Sequence, residues 1–103
     1  METLSVYSWM SKAVPKRNWR KTRQDDAFLI VMTNNLRVCY LNKTAAFLLQ
    51  QVDGRRSVGE IADVMLEHFA VGRDKLENDV VAVLRELEGK GVLSLRYEGS
   101  DRQ

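Results

Sequence analysis

Two apolar runs separated by a pair of asparagines constrain this chain more than any other feature. Ala27 to Thr33 (AFLIVMT) and Leu36 to Leu41 (LRVCYL) are rich in β-branched and large apolar residues, and Asn34-Asn35 lies between them. Asparagine tolerates positive φ, so a two-residue Asn-Asn loop between such runs predicts a β-hairpin. A loop of that length sets Val31 opposite Val38 and Leu29 opposite Tyr40. The other face then carries Phe28, Ile30 and Met32 with Cys39 and Leu41. Both faces are apolar, so one must cover helices. The second needs another cover, for which Trp19 and the residues before it are candidates.

The period changes after the hairpin. Asn42 is a good N-cap, and Thr44 to Val52 (TAAFLLQQV) predicts a helix that buries Ala45, Leu48, Leu49 and Val52. Asp53-Gly54 stops it. Ser57-Val58-Gly59-Glu60 is an S-x-x-E capping box, and the helix it opens buries Ile61, Val64, Met65 and Phe69. A third helix runs from about Asp74 to Glu88, with Leu76, Val80, Val83 and Leu87 as its core stripe. Val81 and Leu84 lie off that stripe, and Gly89 and Gly91 bracket the end. Val92 to Tyr97 (VLSLRY) has the pattern of a short returning strand or wing.

Before the hairpin, Lys16 to Arg23 suggests an edge strand anchored by Trp19, with Asp25-Asp26 as a turn. Residues 1–15 are expected to be a flexible lead-in, 16–97 the domain and 98–103 a frayed tail. The fold class expected is therefore α+β: three N-terminal strands, then three helices, with room for a short C-terminal strand, in a winged-helix-like order.

A chain of 103 residues holds one domain with a modest core. Hydrophobic residues at 45% and charged residues at 29% fit a soluble globular class. The formal charge of +2 is too small to argue for nucleic acid. Its distribution is uneven, because Lys12, Lys16, Arg17, Arg20, Lys21 and Arg23 fall together with no acid among them. Such a run is a solvated arm or edge strand, or else an electrostatic contact for an acidic partner. One cysteine excludes an intrachain disulfide. Without a secretory h-region or a span-length apolar stretch, the expected location is the cytoplasm, with no membrane contact.

Nothing in the sequence assembles a nucleophile, a base and an orienting group. His68 is the lone histidine and fits a surface or helix-end role. Cys39 sits within a strand and fits a small buried hydrophobe. Asp25-Asp26 is a solvated turn, and Gly54-Arg55-Arg56-Ser57 lacks the glycine spacing and lysine of a phosphate-binding loop. No catalytic residue, metal ligand or cofactor is expected. Two features concern binding. Leu36 to Leu41 has the pattern of an edge strand with free backbone groups. The third helix is apolar over more width than one stripe needs, so Val81 and Leu84 either finish the core or line a slot beside that edge. An exposed edge beside an apolar helix flank suits an extended peptide. The competing class is a winged-helix DNA-binding protein, opposed by Asp74, Glu77, Asp79, Glu86 and Glu88 on the helix that would read DNA.

These segments, taken in order, resemble the PqqD family of recognition elements for ribosomally made, modified peptides. The resemblance rests on Leu41-Asn42, Ala45-Ala46, Asp53-Gly54, Ser57-Val58-Gly59-Glu60-Ile61, Asp79-Val80 and Gly91-Val92-Leu93, and covers roughly residues 27 to 93. It implies a winged-helix-like domain that binds the leader of a precursor peptide as an added strand between the Leu36–Leu41 strand and the Asp74–Glu88 helix. Carried onto this chain, that slot involves Leu36, Arg37, Val38, Cys39, Tyr40, Val81, Leu84, Arg85 and Glu88. The implied partners are the precursor peptide and a separate modifying enzyme, such as a radical SAM protein or a peptidase or cyclase, including PQQ-type and lasso-peptide pathways. The chain itself would be non-catalytic, and either a monomer or a dimer by strand exchange.

Overall fold

The computed structural model describes residues 6–97. Its elements run α1 (Val6–Met10), β1 (Val14–Arg17), β2 (Trp19–Gln24), β3 (Leu29–Thr33), β4 (Val38–Leu41), α2 (Lys43–Gln50), α3 (Val58–His68), α4 (Arg73–Gly89) and β5 (Leu93–Arg96). The predicted α+β order of strands, three helices and a short last strand is present. The N-terminal half holds more than expected, because the single strand predicted over Lys16–Arg23 breaks at Asn18 into two. β1 pairs antiparallel with β5, while β2, β3 and β4 form a separate antiparallel sheet in that order.

The hairpin register differs by one residue from the one a two-residue loop would set. Met32 faces Val38, Val31 faces Cys39, Ile30 faces Tyr40 and Leu29 faces Leu41. The loop is three residues long, Asn34 to Leu36. Leu36 N–H donates to Thr33 O at 3.0 Å, Thr33 N–H donates to Arg37 O at 2.8 Å, and Leu36 takes the left-handed φ of 68°. This is a turn followed by a left-handed residue, the usual three-residue hairpin solution. The Thr33 side chain locks it. Its hydroxyl donates to Asn35 Oδ1 and accepts from Arg37 N–H at 3.0 Å, which satisfies a fully buried polar group.

A one-residue slip exchanges the faces of a strand. Leu29, Val31 and Thr33 therefore share the buried face with Cys39 and Leu41, and Val38 and Tyr40 point outward. The helices cover the buried face. Leu48 and Leu49 of α2, Ile61 and Met65 of α3, and Val80, Leu84 and Leu87 of α4 are each at most 2% exposed.

Helix ends follow their sequence signals. Asn42 Oδ1 accepts from Ala45 N–H at 2.9 Å, and Ser57 and Glu60 form the expected reciprocal box. At the end of α4, Gly91 has φ 79°, with Val92 N–H bonded to Leu87 O and Gly91 N–H to Glu88 O. That is a Schellman motif, closed by contact of the buried Val92 and Leu87, and it aims the chain into β5.

Residues 6–15 belong to the domain, which corrects the expected lead-in. The first two amides of α3 have no intrahelical acceptor. Val58 N–H donates instead to Ala13 O at 2.8 Å and Gly59 N–H to Ser11 O at 2.9 Å. Met10, Ala13 and Pro15 are buried as the segment passes. Gly59 permits this approach, since a Cβ there would meet Ser11 O at 3.3 Å. Residues 1–5 of the lead-in and the expected tail 98–103 lie outside the described residues.

Two stability predictions follow from this packing. Deleting residues 1–13 orphans two amides and uncovers Met10's site, so urea unfolding should report a loss of about 3–5 kcal/mol. Leu84→Ala should cost ~2–5 kcal/mol in the same assay, because the side chain is core.

Candidate functional site

The sheet has two open edges, and they are unlike. β2 carries Arg20, Lys21, Thr22 and Arg23, all exposed. Charged side chains on an edge discourage pairing with another strand. The basic run is partly tied down beside it: Lys16 donates to Gly54 O at 3.2 Å, and Arg17 lies 4.9 Å from the Trp19 ring centroid while donating to Trp19 O. β4, at the other edge, carries Val38, Cys39, Tyr40 and Leu41, with no charge.

Register tells which backbone groups β4 leaves open. In an antiparallel pair, residues alternate between those bonded to the partner and those facing away. Thr33 N–H reaches Arg37 O, so Val31 with Cys39 and Leu29 with Leu41 are the bonded pairs that follow. The N–H and C=O of Val38 and Tyr40 point away from β3, and no other partner takes them up among the described residues. Four main-chain groups thus stand in a row on the uncharged edge.

The residues singled out from sequence fall into three groups. Leu36 and Arg37 are exposed where the loop leads into β4, and Val38 and Tyr40 along the strand itself, with Leu36 at 64%, Val38 at 50% and Tyr40 at 62%. Arg85 and Glu88 are exposed on α4, and Val81 is half-buried against the core. Cys39 and Leu84 are corrected. Leu84 is 1% exposed and completes the core, so it lines no surface slot; its position on the helix wheel left both outcomes open. Cys39 is a buried free thiol whose main-chain groups serve β3.

Lys90, just beyond α4, donates to Glu86 Oε2 at 2.9 Å. That bond and the Glu86 charge raise its pKa above the usual lysine value, with a further contribution from Cys39. This is an (i, i+4) pair at the helix end.

The outer face of the sheet was also missed, because the slipped register assigned its residues to two different faces. Phe28, Ile30, Met32, Val38 and Tyr40 share it, and Phe28 meets Tyr40 edge to face at 6.2 Å between ring centroids. A shallow concavity of about 480 Å³ lies between Val38, Met32 and Ile30 and the Lys21 and Arg23 side chains. At the opposite end of the inner face, His68 stacks on Phe47 at 4.3 Å beside a recess of about 250 Å³. Among the described residues, no three His, Cys, Asp or Glu side chains converge to hold a metal ion, and no helix is long and apolar enough to cross a membrane.

The family model described as "Coenzyme PQQ synthesis protein D (PqqD)" matches residues 29–93, more than half of the chain. The chain belongs to the PqqD family. Curated relatives named "PqqA binding protein" are 36% identical over 58 residues in Bradyrhizobium diazoefficiens, 43% over 49 residues in Gluconobacter oxydans and 38% over 64 residues in Rhodopseudomonas palustris. These matches cover 56%, 48% and 62% of this chain, and 56%, 51% and 63% of the relatives' own lengths. A solved structure titled "TbiB1 in Complex with the TbiA(beta) Leader Peptide" shares the fold. Its TM-score is 0.62 at 19% identity, with 80% of this chain and 92% of that one covered. In this PqqD-family chain, β4 and α4 both fall wholly within the matched segment.

Leu36 holds a left-handed backbone that suits glycine or asparagine, at a cost of ~1–2 kcal/mol. Leu36→Gly should raise stability by about 0.5–1 kcal/mol in urea unfolding after the flexibility of glycine is allowed for.

Proposed function

We propose that this chain binds the leader of a ribosomally made precursor peptide of the PqqA kind as an added strand on β4, and holds it for a separate modifying enzyme without itself catalysing a reaction. The observation that carries the reading is the contrast between the two edges. β2 is guarded by three cations, whereas β4 presents the four free main-chain groups of Val38 and Tyr40 without a charge. The names of the relatives and the leader complex of the structural neighbour support the same reading.

The magnitudes indicate how such a peptide would be held. Four main-chain hydrogen bonds contribute a net ~1 kcal/mol each. Association costs at least ~4 kcal/mol in lost freedom. Micromolar affinity needs roughly −8 kcal/mol, so about three to five peptide side chains must be buried at ~1.5–3 kcal/mol apiece. A strand on β4 sends the residue opposite Cys39 to the inner face of the sheet, the side on which the helices pack and on which Val81 of α4 is half-buried against the core. Arg37, Arg85 and Glu88 are exposed, and on this reading they would set register and partner choice more than affinity.

A DNA-binding role has less behind it. The exposed side of α4 carries acids, and Glu77, Asp79 and Glu86 pair with Arg73, Lys75 and Lys90 of the same stretch. With those cations engaged, the helix surface offers little positive charge to a phosphate backbone.

An amide-shift NMR titration with Gluconobacter oxydans PqqA tests the function. Shifts should concentrate in 36–41 and along α4; their absence at large peptide excess would remove PqqA as the ligand. A sharper test uses proline, which has no N–H. Val38→Pro should keep the domain folded, since its amide serves no internal bond, and weaken PqqA by at least about tenfold. Cys39→Pro should instead destabilise the hairpin, since that amide bonds β3.

A further inference from the structure

Resting on the peptide-binding reading, we infer that the solvent face of the sheet, and not only the side toward α4, selects the peptide: Val38 and Tyr40 read two outward side chains spaced two residues apart. The pleat makes this unavoidable for any strand added to β4. Peptide residues that lie directly opposite Val38 and Tyr40 place their side chains on the same face as those two, whichever way the added strand runs. The residue between them, opposite Cys39, is the only one of the three sent inward.

That face is built to receive apolar groups. Tyr40 is 62% exposed and Phe28 43%, and their rings already meet edge to face at 6.2 Å. Among the described residues no helix covers them, because α2, α3 and α4 pack on the other side. Beside Val38 the concavity of about 480 Å³ runs over Met32 and Ile30 toward β2, which lets a long side chain opposite Val38 lie across the sheet. The apolar surface thus begins at the open edge and continues inward from it, so an added strand is the occupant that covers it without a break. The peptides selected carry an aromatic or β-branched residue opposite Tyr40 and a long apolar one opposite Val38.

A double-mutant cycle between domain and peptide tests this, with calorimetric binding of Gluconobacter oxydans PqqA as the readout. Tyr40→Ser should weaken binding about three- to tenfold, and Tyr40→Phe should stay within about twofold. Scanning the peptide with serine, the Tyr40→Ser effect should couple to one position and leave its two immediate neighbours additive. Wild-type binding that Tyr40→Ser leaves unchanged would overturn the inference while sparing the function. Coupling to adjacent positions without alternation would also overturn it. No binding of PqqA by the wild type would sink both. If sedimentation shows a dimer that Tyr40→Ser dissociates while PqqA affinity is unchanged, the face belongs to a second copy and the inference fails.

Discussion

The hydrogen bonds of the buried Thr33 hydroxyl decide how the rest of the molecule can be used. By accepting from Arg37 N–H and donating to Asn35, Thr33 closes a three-residue loop and holds Leu36 in a left-handed backbone. Loop length then sets the register of β3 against β4. Register in turn sets which side chains face the helices and which main-chain groups remain open. With a loop one residue shorter, Cys39 would bond outward, and Val38 and Tyr40 would lose their free groups. The candidate binding edge is therefore a consequence of one polar side chain placed in an apolar setting.

That dependence explains what could be read in advance. The strand runs, the Asn42 cap, the Ser57–Glu60 box and the Gly91 stop are local signals, and each was legible because its chemistry lies within a few residues. The hairpin itself was legible, but its register was not. Asn34-Asn35 fits a two-residue loop as well as the centre of a three-residue one, and nothing local shows that Leu36 accepts positive φ. The error was small along the chain and large in consequence, because it split the outer face between two surfaces. Leu84 illustrates a different limit. A helix wheel gives direction around the axis but not how neighbouring elements wrap, and the buried arc here is Leu76, Val80, Leu84 and Leu87, so that Leu84 is fully buried and Val83 of the expected stripe only half-buried.

The N-terminal segment was illegible for a further reason. Residues 6–15 have weak periodicity, and their place is set by what α3 lacks. A helix start carries free amides that its own sequence does not fully satisfy; the capping box supplies one through the Ser57 hydroxyl, while Val58 and Gly59 turn to Ala13 and Ser11. A long-range partner of this kind leaves no pattern in either segment beyond the small residue at Gly59. The same docking separates β1 from β2 at Asn18 and diverts β1 to β5, so β2 is left as an edge.

This diversion gives the basic run its role. An unguarded β2 would offer a second row of free main-chain groups, and a peptide or another copy of the chain could pair there as readily as on β4. Arg20, Lys21 and Arg23 oppose that through charge and hydration rather than bulk. Specific strand addition requires both edges to be controlled, because main-chain pairing by itself reads no side chains. Under the proposed strand addition, the cations on one edge would contribute to selectivity at the other: they would remove a competing site and leave β4, with its apolar outer face, as the favoured place for an extended peptide to pair.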